Sequence, residues 1–275
     1  MNVETHGALP VPDAMAEAVE TMKVFCGMLL LSFAKHGTAL RDTVIRNFIA
    51  RGMACTESIH QVWHSGSEQD AWILHRTLLD RLFHLHHLAQ LDEFKVFEDY
   101  SFMTLFEARE QLIGDSDMRD KVPKSLKVLQ NSNRGRYKKL LASGSRWRRP
   151  KAEEVAKAMG LEFLYRHGYN YGSTHVHPMA SDGEIDFERL VSPARQRRLA
   201  DPTVVQNSIL VQSLLIQEGL NASTMRWRRI VFDFVEQVRK FAGDGNPAFH
   251  LTLYRMTKDW PAFELCQAPQ QKDGA

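Results

Sequence analysis

Two columns of polar side chains at four-residue spacing carry the chemistry this sequence can offer. One is Arg76, Asp80 and His84; the other is Tyr165, Tyr169, Ser173 and His177. On an α-helix residues four apart are neighbours, with Cβ atoms about 5–6 Å apart, so each column forms a nearly continuous stripe. Arginine, carboxylate and histidine on one stripe, with tyrosine, serine and histidine on the other, are the material of an acid/base or anion-binding site. The expected roles are charge stabilisation by Arg76, orientation by Asp80, proton transfer by His84 or His177, and hydrogen-bond donation by Tyr169 and Ser173. Arg76 and Asp80 are also spaced to form an ion pair. Gly168 and Gly172 lie beside the second stripe. A glycine inside a helix costs about 1 kcal/mol relative to alanine, so two at this spacing predict that another helix or a ligand comes very close.

Four histidines, His75, His84, His86 and His87, fall between Trp72 and Leu91. The run Arg81-Leu-Phe-His-Leu-His86 separates an arginine from a histidine by four residues, and in this the chain resembles the HEPN-type helical ribonucleases. The resemblance implies a histidine acting as general acid or base and an arginine stabilising charge on a phosphate, with no metal. The alternative for Arg81 is a surface pair with a carboxylate.

A second resemblance rests on Arg76-Thr-Leu-Leu-Asp80, Phe97-Glu-Asp-Tyr100, Trp147 and Tyr169-x3-Ser173-x2-Val176-His177-Pro178. In these residues, spread from His75 to Gly183, the chain resembles the bacterial proteins grouped as domain of unknown function 5677. That resemblance implies an all-helical fold and a polar site drawn from Arg76, the acid at position 80, Tyr169, Ser173 and His177. The family commonly carries glutamate where this chain has Asp80. It brings no settled activity, so function is argued from the residues.

Between Lys121 and Lys151 there are eleven lysines and arginines and no aspartate or glutamate. Arg134, Arg136, Lys138, Lys139, Arg146, Arg148 and Arg149 are candidate phosphate contacts, and Tyr137 and Trp147 sit among them as rings on which a base could stack. The alternative is a solvated segment balanced by acids elsewhere.

A metal centre is the competing chemistry. Asp80-x3-His84 resembles the carboxylate/histidine pairing of helical di-iron proteins, and Glu57-x2-His60 has the spacing that bundles use for such metals. His175 and His177 could join them if the helix ended near Pro178. This alternative calls for iron, manganese or zinc and a small-molecule substrate, whereas the first reading needs no cofactor. The lone glutamates that a ferritin-like site takes from two further helices are not singled out.

The elements that must position these residues read as helices almost throughout. Asp13 is placed to cap a first helix that Gly37 ends; Thr38–His64 forms a second; a third runs from the Ser65-Gly66-Ser67 turn to about Gln90; a fourth, capped by Asp92, stops at Gly114. Residues 121–151 read as an irregular basic crossover loop with short helical pieces. Helical spacing resumes at Ala152 and runs through the His177 column to Pro178. Pro193 and Pro202 bracket a small helix, and Thr203–Phe241 reads as one long helix or two nearly continuous ones. The expectation is an all-α, multi-helix bundle forming a single domain over 1–275, with a family-like core at 75–183 and a long helix at 203–241.

Composition sets the outer limits. A chain of 275 residues with 44% hydrophobic and 25% charged content can bury a large core, and a net charge of +2 demands no polyanionic partner for the molecule as a whole. Cys26, Cys55 and Cys266 show no paired spacing, which fits the reducing cytoplasm. Glu4 stands where a secretory signal would be basic, and Val24–Leu31 is too short to span a membrane. There is no P-loop, dinucleotide turn or nucleophile elbow. The function expected is a metal-independent, ribonuclease-like or RNA-acting enzyme, with the metal-dependent bundle enzyme or a non-enzymatic RNA- or protein-binding module as alternatives. The apolar face from Val204 to Leu220 leaves room for a homodimer.

Overall fold

Apolar residues recurring at threes and fours become long helices. The structure is a computed structural model and describes residues 11–118, 121–144, 147–177, 180, 183–191, 201–226, 228–244 and 266–267. In chain order the helices are α1 (Val11–His36), α2 (Leu40–His64), α3 (Glu68–Leu91), α4 (Phe94–Gly114), α5 (Lys124–Ser143), α6 (Ala152–Ala158), α7 (Glu162–Leu164), a π-helical turn (Tyr165–Asn170), α8 (Tyr171–Thr174), α9 (Glu184–Val191), α10 (Thr203–Ala222) and α11 (Arg228–Asp244). The chain is therefore all-α, with a two-residue antiparallel pairing of Met225–Arg226 and Cys266–Gln267 as its β structure among the described residues. No described helix is long and apolar enough to cross a membrane. The chain divides into two compact units, Met1–His87 with Pro150–Ala275, and Leu88–Arg149.

In the first unit α2 packs on α1 and α10, and α10 packs on α11. Met22, Phe25 and Leu29 of α1, Ile45, Ile49 and Ile59 of α2, Leu78, Leu82 and Phe83 of α3, and Phe234 and Phe241 of α11 are fully buried. Each such side chain contributes about 1.5–3 kcal/mol by leaving water. Phe25 and Phe234 stack with ring centroids 3.9 Å apart. Val204, Val205, Ile209, Val211, Leu215, Ile216 and Leu220 are all buried within the chain. The α10 face that suggested a homodimer is thus consumed by the molecule's own core.

The long C-terminal helix is two helices because a carboxylate breaks it. Asp42, fully buried near the start of α2, accepts hydrogen bonds from the Thr224 amide (2.9 Å) and the Thr224 hydroxyl (2.6 Å). A buried carboxylate needs such donors. They hold residues 223–226 out of helical geometry between α10 and α11.

The second unit corrects the reading of 121–151, because Lys124–Ser143 is one continuous 20-residue helix. Its inward positions, Leu126, Gln130, Asn133, Tyr137 and Leu140, recur at helical spacing but are partly polar, so an apolar-period search does not see them. Gln130 Nε2 donates to the Phe106 carbonyl (2.8 Å), and the Tyr137 ring stacks on Phe106 at 4.3 Å. The Gly144 left-handed cap ends the helix.

Candidate functional site

Helix α3 and the segment α7–π–α8 meet at very close range, and glycines make the approach. A Cβ on Gly168 would lie 3.0 Å from both His75 Nε2 and Leu79 Cδ1; one on Gly172 would lie 2.5 Å from the Trp72 carbonyl oxygen and 2.9 Å from the Arg76 Cβ. The neighbour predicted from the glycine pair is therefore a helix. The π-helical turn is an i→i+5 insertion of the kind that re-aims side chains within an otherwise α-helical run.

This contact brings three of the candidate residues together. Arg76 Nε donates to Ser173 Oγ (2.7 Å), Arg76 Nη2 donates to the Tyr169 hydroxyl (3.3 Å), and the guanidinium carbon lies 4.8 Å from the centre of the Tyr169 ring. Ser173 Oγ in turn donates to the Tyr169 carbonyl (2.8 Å). Its hydrogen is thereby committed to the backbone, so Ser173 positions Arg76 and is not the ligand donor expected from its spacing. Tyr165 stacks on Tyr169 at 5.4 Å, and Phe83 flanks the same ring at 6.1 Å. No carboxylate among the described residues pairs with Arg76. The Arg76–Asp80 ion pair suggested by their spacing is replaced by two neutral hydroxyls.

The remaining members of the two columns fall differently. Asp80 and His84 are half-buried along α3 beyond Arg76. The helix ends at Thr174, three residues earlier than the His177 column requires, and His177 lies exposed in a bend. His175 packs edge-on against Tyr171, which is itself edge-on to Trp72. Arg81 and His86 do not converge: Arg81 interacts electrostatically with Cys55 and Arg51 of α2, whereas His86 Nδ1 bonds Glu218 of α10 at 2.8 Å.

His75, whose place the histidine spacing alone does not give, is the most perturbed side chain at this contact. It occupies the apolar stripe of α3 with Ala71, Leu78, Leu82 and Leu85, and that periodicity was the available signal. Ser208 Oγ gives its hydrogen to the Val204 carbonyl (2.6 Å) and so accepts from His75 Nδ1 (2.9 Å). The proton is on Nδ1. Nε2 keeps its lone pair, buried and without a partner among the described residues, facing Gly168. Burial pushes the imidazole down to about 3, so it is neutral at any ordinary pH.

The metal alternative finds little support in the geometry. Among the described residues no three histidine, cysteine, aspartate or glutamate side chains are grouped as a metal would need. Glu57 is instead engaged by Lys23 of α1 (3.1 Å), and His60 packs against Trp63 and His64. His60 is held below its usual range by burial first and by His64 second.

The basic segment is largely spoken for within its own unit. Arg134 bonds both carboxylate oxygens of Glu110 (3.0 and 3.1 Å). Arg136 bridges Glu98 and Asp99, the latter at 2.8 Å, and lies 4.1 Å over the Phe102 ring. Burial opposes ionisation of these two acids, but hydrogen bonds from Arg136 and Lys95 outweigh it and hold both carboxyls below their usual range. Trp147 is buried against Phe97 and Tyr100, and Tyr137 is covered by Phe106, so neither ring is an open platform for a base. Lys138, Lys139 and Arg148 are exposed; Arg149 is exposed too but has an interaction of its own, and Arg146 lies outside the described residues.

No curated protein and no solved structure matches the chain. The sequence pattern of the family of unknown function DUF5677 matches residues 42–188, a span that covers more than half of the chain and includes both Arg76 and its two hydroxyl partners. The chain therefore belongs to the family of unknown function DUF5677.

Proposed function

We propose that the Arg76–Tyr169–Ser173 cluster receives an oxyanion, the phosphodiester of RNA, and that the protein acts on RNA without a metal. The observation that carries this reading is a half-buried guanidinium whose hydrogen-bond partners among the described residues are both neutral oxygens. A guanidinium has five N–H donors, and the donors on Nη1 and one on Nη2 are not committed to any described residue. A partly desolvated cation without a counter-ion is costly to keep, and an anionic ligand removes that cost. Bidentate arginine–phosphate contacts are the strong form of this interaction.

Cleavage on this site would use the RNA itself as nucleophile. The ribose 2′-oxygen attacks the adjacent phosphorus and loses its proton to a base, the bond from phosphorus to the 5′-oxygen breaks, and an acid supplies the proton that the 5′-oxygen takes. Arg76 would offset the charge gathering on the non-bridging oxygens. His84 or His177 would carry the protons, and Asp80 would orient His84, one turn away on α3.

The test is RNA binding and cleavage by the full-length chain in the presence of a chelator. Arg76→Gln should weaken RNA binding by roughly tenfold or more, since a hydrogen bond to a charged group contributes about 1.5–3 kcal/mol. Arg76→Lys should recover little of it, because a lysine cannot reproduce the fork. Unchanged binding and cleavage in Arg76→Gln would overturn the proposal. Arg76-dependent binding with no cleavage in any variant would remove the enzymatic half and leave a binding module.

A further inference from the structure

Two arginines with no carboxylate within ion-pair distance among the described residues, Arg51 and Arg81, lie where α2 meets another side of α3. The Cys55 thiol of α2 donates to the Leu74 carbonyl of α3 (3.4 Å), which fixes the seam between the two helices. Arg81 sits two turns beyond Leu74 on the same face of α3, and Arg51 sits one turn before Cys55 on α2. Arg81 is half-buried, and its Nε is shut off from solvent with no acceptor among the described residues. Among the described residues no carboxylate lies within ion-pair distance of Arg51 or Arg81, and Asp80 acts on Arg81 only from farther off. An enclosed guanidinium N–H without an acceptor calls for an explanation.

The fields of the two cations meet at this seam. Burial lowers the Arg81 guanidinium below its usual range, Cys55 and Asp80 oppose that shift, and the repulsion of Arg51 adds to it. Burial raises the Cys55 thiol, and both Arg81 and Arg51 pull it back. Arg76 faces Ser173 and Tyr169 on another side of α3, so its ligand cannot neutralise this pair.

We propose that Arg51 and Arg81 hold a phosphate-type oxyanion in the seam between α2 and α3, above Cys55. Two planar forks on separate helices suit an anion with several oxygens in tetrahedral array, and a dianion balances both charges where a carboxylate would balance one. The group is either free inorganic phosphate or the phosphate of a monoester. Bound there, it ties α2 to α3 and closes the seam over the thiol. This site is independent of the RNA reading.

Cys55 alkylation reads the seam directly, because the thiol is buried and reacts only when α2 and α3 part. With the full-length protein at constant ionic strength, iodoacetamide labelling of Cys55, followed by peptide mass spectrometry, should slow several-fold when potassium phosphate replaces potassium chloride. The slowing should saturate with phosphate concentration. A nucleoside 5′-monophosphate in a parallel series separates the sources: protection by both means the seam admits a monoester, and protection by inorganic phosphate alone means a free ion. Arg81→Gln and Arg51→Gln should each abolish the protection, whereas Arg76→Gln should retain it in full. Failure of RNA binding with protection intact would sink only the RNA reading. Equal labelling rates in phosphate and chloride, or protection undiminished in Arg51→Gln, whose exposed side chain can be replaced without threatening the fold, would overturn this proposal.

Discussion

Gly172→Ala is expected to destabilise the protein by about 2 kcal/mol, although alanine is the better helix former. The new methyl would enter 2.5 Å from the Trp72 carbonyl oxygen, 2.9 Å from the Arg76 Cβ and 3.2 Å from the Trp72 carbonyl carbon. Two of these three are backbone atoms of α3, which cannot swing aside as a side chain would. Overpacking of this kind costs about 1–3 kcal/mol, and a forced backbone shift stands toward the upper end. The helix-propensity gain of about 1 kcal/mol works against it without cancelling it. Gly135, inside α5, supplies the internal control, since a Cβ there would meet nothing within 4 Å. Gly135→Ala should stabilise by roughly 0.5–1 kcal/mol for the same propensity reason. Chemical denaturation of both variants reads the pair: opposite signs support the close approach, and a Gly172→Ala protein as stable as wild type would show that α8 does not lie on Trp72.

The functional consequence of that substitution is local. Ser173 follows Gly172 directly, and its hydroxyl reaches Arg76 Nε at 2.7 Å only because the α8 backbone lies against Trp72. Pushing α8 outward lengthens this bond before any other in the site. Gly172→Ala should therefore weaken the RNA binding proposed for Arg76 by more than its stability loss alone explains.

Periodicity made the helices legible, and it also marked the two polar stripes, because both rest on one rule of spacing. The α4 end at Gly114, the α2 span and the start of α10 at Thr203 follow from it. What periodicity could not carry was long-range polar bonding. The break after Ala222 is made by Asp42, which is 182 positions away along the chain. Helix α5 was hidden because its inward face includes Gln130, Asn133 and Tyr137, of which Gln130 bonds to and Tyr137 stacks on Phe106 of α4. The same blindness affected the site. The glycine spacing announced a neighbour, but that Arg76 would choose Ser173 and Tyr169 over Asp80 depends on a contact between residues nearly a hundred positions apart. His177 left its column because the helix stops at Thr174, and the π-helical turn upstream has no signature in apolar spacing.

Acid should weaken this protein through His75, and the direction follows from the shift. Its imidazole titrates near 6.5 when unfolded and is pushed down to about 3 by burial in the fold. Below pH 6.5 the unfolded chain binds a proton that the native one refuses, so stability falls as pH drops and this contribution is fully lost only below about 3. The slope approaches about 1.4 kcal/mol per pH unit inside that window, and across all of it the loss is on the order of 4–5 kcal/mol. His75→Asn keeps a donor for Ser208 and removes the titration. The variant should start less stable at neutral pH, because it leaves a void, and its stability should fall less steeply by about one proton between about pH 4 and 6, so that the two curves converge on acidification. His60, also held down by burial, contributes equally to both proteins and drops out of the difference. Parallel curves would mean that His75 is not the buried neutral base its surroundings describe. Protonation would place an N–H on Nε2, where Gly168 lies against the ring and no acceptor stands among the described residues. The charge can reach water only if the segment bearing Gly168 lifts from α3, and that segment carries Tyr169 and Ser173. Acid should therefore release Arg76 from its two hydroxyls, and weaken the anion binding proposed for it, at a higher pH than that at which the helical content collapses.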